Sequence, residues 1–122
     1  MNIEFLRTYC LAKPGVEETL PFGPDTLVFK VGGKMFLLTS LDAEEFQFNV
    51  KCDPDKAVEL REQYDSVQPG YHMNKKHWNT ITVDGSASTS LLKEWIDDSY
   101  ELVVNSLPVK AKSALKEKKK KK

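Results

Sequence analysis

Thr26-Leu27-Val28-Phe29-Lys30-Val31-Gly32-Gly33-Lys34-Met35-Phe36-Leu37-Leu38-Thr39 is the stretch from which the fold can be read. Two apolar runs with period-two alternation flank Gly32-Gly33, a pair that supplies the positive φ angles of a two-residue hairpin turn. A hairpin about that turn sets Val31 opposite Lys34, Phe29 opposite Phe36 and Leu27 opposite Leu38, which gathers one strongly apolar face. The reverse face then carries Val28, Lys30, Met35, Leu37 and Thr39, a mixed set. Such a sheet needs helices over its apolar face, and the flanking sequence supplies them.

Upstream, Asn2 caps a helix over residues 3–12, in which Ile3, Phe5, Leu6, Tyr9 and Cys10 fall at helical spacings. Lys13-Pro14-Gly15 ends it, because Pro14 keeps Lys13 out of the α region. Phe22-Gly23-Pro24-Asp25 is a turn. Downstream, Glu45–Lys51 alternates as a third strand, with Phe46, Phe48 and Val50 against Gln47, Asn49 and Lys51. Asp53 caps a second helix with Pro54 at its first position and Ala57, Leu60, Arg61 and Tyr64 along one side. Residues 65–70 are loop. Trp78–Val83 is a fourth strand, with Asn79, Ile81 and Val83 on one side and Trp78, Thr80 and Thr82 on the other. Ser86 or Ser88 caps a long final helix whose stripe runs Leu91, Leu92, Trp95, Ile96, Tyr100, Val103, Val104, Leu107 before Pro108 stops it. The predicted order is α-β-β-β-α-β-α: an α+β two-layer sandwich, an antiparallel sheet of about four or more strands with the terminal helices on one face.

The chain of 122 residues is long enough for one domain with its own core. Its net charge of zero hides an asymmetry: residues 1–109 hold 10 Lys and Arg against 17 Asp and Glu, whereas residues 110–122 hold 8 Lys against Glu117. The reading is therefore a single domain over 1–109 and a lysine-rich, disordered tail over 110–122. No apolar run reaches membrane-spanning length, and the N-terminus lacks the features of a signal peptide. Cys10 and Cys52 form no paired motif and read as free thiols in a reducing cytoplasm, with a single bridge between them as the alternative.

Candidate chemistry concentrates in Pro69-Gly70-Tyr71-His72-Met73-Asn74-Lys75-Lys76-His77-Trp78-Asn79. His72 and His77 stand five apart with no carboxylate or cysteine at ligand spacing, which excludes a recognisable metal site. A dyad of Cys52 with His72 or His77 is the one nucleophile–base pairing available, and it lacks an orienting third residue and an oxyanion loop. No phosphate-binding loop, dinucleotide fingerprint or nucleophile elbow is present. No cofactor is implied. Binding chemistry fits better: Trp78 on the polar side of its strand, with Lys75, Lys76, His72 and Tyr71 just before it, combines a stacking platform with cations. The opposing structural reading has Trp78 packed beneath a loop or helix.

Three runs resemble the signature of the MmcQ/YjbR family: Pro21–Phe36, Asn49-Val50-Lys51-Cys52-Asp53-Pro54 and Pro69–Asn79. The resemblance covers residues 1 to about 108. It implies a bacterial, cytoplasmic protein with a CyaY-like (frataxin-like) α+β fold, compared with the double-wing DNA-binding domain of the phage factor MotA, and a label of DNA-binding protein. The sequence reading is therefore a small cytoplasmic, non-enzymatic binding module for DNA. Its candidate site is Lys30, Lys34, Lys51, Tyr71, His72, Lys75, Lys76, His77 and Trp78. The alternative is a protein–protein adaptor using the same sheet face. Exposure of Trp78 and gathering of the lysines would favour a site; burial or scatter would favour scaffold.

Overall fold

The computed structural model describes residues 1–70 and 73–120. Ten elements follow in order: α1 Ile3–Leu11, β1 Val16–Thr19, β2 Thr26–Val31, β3 Lys34–Ser40, β4 Gln47–Lys51, α2 Pro54–Gln63, β5 Val67–Pro69, β6 Trp78–Thr82, α3 Thr89–Asn105 and α4 Val109–Lys120. The strands form one antiparallel sheet in the order β1-β2-β3-β4-β6-β5. This is the expected α+β sandwich, extended by two short edge strands and a fourth helix.

The first three helices begin as their sequences dictate. Asn2 Oδ1 accepts from the Phe5 amide at 2.8 Å, Asp53 accepts from Asp55 and Lys56, and Ser88 Oγ accepts from Leu91 at 3.2 Å. These contacts satisfy amides that have no partner inside the helix. Leu6 and Cys10 of α1, Ala57 and Leu60 of α2, and Leu92, Trp95, Ile96, Tyr100 and Val103 of α3 share one core with the inward side chains of the sheet. All three helices therefore lie on one face and, among the described residues, leave the other free of helices.

The hairpin departs from the expected register. Gly32 and Gly33 hold φ of +60° and +79°, and Val31 does pair with Lys34 and Lys30 with Met35. A bulge follows, so that Phe29 pairs with Leu37, Val28 with Leu38 and Leu27 with Thr39. Phe36 is the extra residue, and both Phe36 and Leu37 are fully buried on the helix side. The pairs Phe29–Phe36 and Leu27–Leu38 are therefore not formed. Leu38 moves to the open face and Leu37 to the core. Ser99 of α3 secures the bulge: its Oγ donates to the Phe36 carbonyl at 2.5 Å and accepts from the Lys51 amide at 2.8 Å, with no side-chain exposure.

The expectation of a disordered tail over 110–122 also needs correction. Residues Val109–Lys120 are helical, and Leu115 packs against the core beside Gly15. Residues 121 and 122 lie outside the described residues.

Candidate functional site

The described stretch that leads into β6 is held by an arginine and by its own turn. From α2, Arg61 Nε donates to Asn79 Oδ1 at 2.7 Å, and Nη2 donates to the carbonyls of Lys75 and Trp78. Asn79 is 1% exposed, so its amide has no access to water and depends on this partner. Asn74 closes the local turn: its carbonyl accepts from the His77 and Trp78 amides, and its Oδ1 accepts from the Lys76 amide at 3.0 Å. The Cys52 amide donates to the His77 carbonyl at 2.7 Å, which ties the segment to the end of β4. Gly70 packs closely on β6: a Cβ there would lie 3.0 Å from the Trp78 Cβ and 3.2 Å from its carbonyl oxygen. Within the Pro69–Asn79 signature, residues 74–79 are thus an architectural splice between α2, β4 and β6.

Trp78 projects from the face opposite the helices, as its alternation with Ile81 requires, but it is only 7% exposed. Its ring is not open for stacking, which removes the platform that the sequence suggested. The cations are spread. Lys30 and Lys51 leave the same face near one end of the sheet, Lys30 directly beside Glu17 of β1. Lys34 sits at the hairpin tip, 3.5 Å from Ser106 Oγ. Lys75 and Lys76 are exposed on the β5–β6 segment, and His77 is half-buried there. Tyr71 and His72 lie outside the described residues.

What the open face does present is a groove of about 650 Å³. Its walls are Phe22 from the β1–β2 loop, Met35 and Leu38 from β3, and Met73 from the β5–β6 segment. Its floor is Thr26, Ser40, Gln47, Asn49 and Thr80. None of these lining residues carries a charge. Phe22 is 68% exposed, held out by a loop with proline on each side of Phe22-Gly23. Leu38 reaches the groove only because of the bulge in β3.

The floor is ordered by two cross-strand pairs. Asn49 pairs with Thr80, whose hydroxyl donates to Asn49 Oδ1 at 2.5 Å. Gln47 pairs with Thr82, and Gln47 Nε2 donates to Thr82 Oγ1 at 3.0 Å. The 2.5 Å contact has the length of an O–H···O bond and the 3.0 Å contact that of an N–H···O bond, so Asn49 turns its oxygen and Gln47 its nitrogen to the neighbouring hydroxyl.

A recess of about 460 Å³ between α3 and α4 includes Lys13, but Lys13 Nζ bonds Asp97 Oδ1 at 2.5 Å, which also accepts from Tyr9 at 2.6 Å. Both cysteines are buried. Burial pushes the Cys10 thiol up to about 12 and also raises Cys52, so neither resembles an activated nucleophile. Among the described residues no cluster of three or more His, Cys, Asp or Glu could hold a metal ion, and no helix is long and apolar enough to cross a membrane.

A family model described as YjbR matches residues 11–102. The chain belongs to the YjbR family. It is 45% identical to the YbdF protein of Escherichia coli O157:H7 over 105 residues, covering 85% of each chain. It is 34% identical to the YjbR protein of Escherichia coli K12 over 115 residues, covering 94% of this chain and 98% of that one. Among solved structures, the Deinococcus radiodurans protein DR2400, with domain DUF419, superposes with a TM-score of 0.88 at 38% identity, covering 93% and 87% of the two chains. A Pseudomonas syringae protein superposes at 0.74 with 26% identity, covering 84% and 99%. The YjbR match spans the bulged hairpin, the Arg61 node and both ordered floor pairs.

Arg61, Ser99 and the pairs Asn49–Thr80 and Gln47–Thr82 are residues that the sequence reading did not single out for these roles. Arg61 carried a signal: it lies on the same helical side as Ala57, Leu60 and Tyr64, where a charge needs a partner.

Proposed function

We propose that the chain is a binding module without catalytic activity, and that it engages a polypeptide partner through the groove on its open sheet face. One observation carries this reading. The groove joins a protruding aromatic side chain and two methionines to a fixed amide floor, with no charge among its lining residues. Aromatic anchors and adaptable methionines over a polar floor are the composition of protein-recognition surfaces. The raised thiols support the non-catalytic part.

Nucleic acid is the second reading. Lys30 and Lys51 on the same face favour it, but phosphate recognition draws on clustered cations, and Glu17 stands beside Lys30. The DNA-binding label that the family resemblance implies therefore finds less support here than the adaptor role.

Copurification of the tagged full chain from a bacterial lysate, with and without nuclease, tests the choice. A polypeptide retained through nuclease treatment and lost with Leu38→Asp, in a variant that melts like wild type, supports the proposal. Retained nucleic acid, lost with Lys30→Ala/Lys51→Ala but not with Leu38→Asp, would replace it with the second reading.

A further inference from the structure

We infer that the groove takes its partner as an extended peptide laid along β4 and held by its main chain. This rests on the reading of the open face as the binding surface and adds the chemistry of what is bound.

The two fixed amides carry the argument. Because Asn49 Oδ1 accepts from Thr80, the Asn49 Nδ2 group is left as a donor, with no partner among the described residues. Because Gln47 Nε2 donates to Thr82, Gln47 Oε1 is left as an acceptor, likewise without a partner among them. Both belong to β4, two residues apart, and so point to the same side. That places a donor and an acceptor roughly 7 Å apart along the strand, the interval at which an extended chain repeats its own N–H and C=O groups. A single carboxamide or a nucleobase edge holds its donor and acceptor much closer together. The main chain of a peptide strand can meet both, its C=O accepting from Asn49 and its N–H donating to Gln47.

The walls suit the same occupant. An extended segment over the floor turns alternate side chains toward it, where Met35, Leu38 and Met73 offer apolar contact and Phe22 closes one side. The lack of charge in the lining selects a segment without charged residues at its centre, since a charge there would be desolvated without a partner.

The test begins with a library of random ten-residue peptides, selected against the full chain and counter-selected on Leu38→Asp. One enriched peptide is then synthesised and its affinity measured. Asn49→Asp keeps the oxygen that Thr80 holds but replaces the donor by an acceptor; Gln47→Glu keeps an oxygen facing the groove. Both add the same charge to the same floor. The expected result is an asymmetry: Asn49→Asp weakens binding about tenfold or more, while Gln47→Glu leaves it within about threefold. N-methylation of the peptide, one amide at a time, should reduce affinity at alternate positions, with the protein unaltered. Equal weakening by the two variants, or indifference to N-methylation, would overturn the inference while leaving a peptide-binding groove. Failure of the library to yield any peptide dependent on Leu38 would overturn the polypeptide reading itself.

Discussion

Arg61→Met should destabilise the protein by about 2–3 kcal/mol. The arginine supplies the Asn79 side chain with its donor at 2.7 Å, and Asn79 is 1% exposed, so no water can replace it. Leaving a buried acceptor without a partner costs about 1–3 kcal/mol, and a bond from a charged donor belongs at the upper end of that range. The contacts to the Lys75 and Trp78 carbonyls add less, because Lys75 is exposed and water can serve its carbonyl. For a domain of this size the loss corresponds to a fall in Tm of roughly 8 °C. Chemical denaturation at pH 7 measures it, and hydrogen exchange should show the His77 and Trp78 amides losing protection beyond the global change. Arg61→Lys should recover less than half, since an ammonium cannot span Asn79 and two carbonyls at once. A loss below about 1 kcal/mol for Arg61→Met would refute the claim that this arginine holds the β5–β6 segment.

Ser99→Ala should cost about 2 kcal/mol in urea denaturation, because it strands the Phe36 carbonyl and the Lys51 amide in the core. Gly32→Ala should cost about 1–2 kcal/mol: φ there is +60°, and the added Cβ would lie 2.6 Å from Leu107, which must rotate away. Cys10 should react with a disulfide reagent far more slowly in the native protein than in urea at pH 8. Its folded thiol is raised from 9.0 to about 12 by burial, so the unfolded chain releases the proton first. That contribution to stability is complete below pH 9 and fades as pH rises toward 12, and urea midpoints at pH 8 and pH 10 should differ in that direction.

Much of this fold is legible in local chemistry. Asn2, Asp53 and Ser88 mark helix starts because capping is decided by a few adjacent residues, and Gly32-Gly33 marks the hairpin because only glycine takes both φ angles freely. What local pattern does not carry is competition between distant surfaces. Val31–Lys34 and Lys30–Met35 follow from the turn, but Phe36 is displaced by a bulge, since α3 offers Ser99 and Tyr100 to bury it and Leu37 together. That one-residue shift also moved Leu38 into the groove. The strands Val16–Thr19 and Val67–Pro69 were missed because edge strands this short show no clean alternation; one contains adjacent exposed glutamates and the other ends in proline. At Trp78 the sequence leaves two readings open, a stacking platform and a packed side chain, and the structure takes the second. Its alternation places it on the open face, yet it is buried there, because alternation reports direction rather than exposure. Lys30, Lys51 and the Lys75–Lys76 pair were legible as cations but not as a patch, because sequence neighbourhood says little about spacing across six strands.

A photo-crosslinking residue at position 38, compared with one at position 58 on α2, tests the central claim most directly. Leu38 lines the groove and is half-buried, whereas Val58 is a more accessible apolar residue, 49% exposed, on the helical layer. The account predicts a protease-sensitive, nuclease-resistant adduct at position 38, absent at position 58 and suppressed by an excess of the selected peptide. An adduct at position 58 with none at 38 would contradict it, as would one at position 38 that nuclease removes.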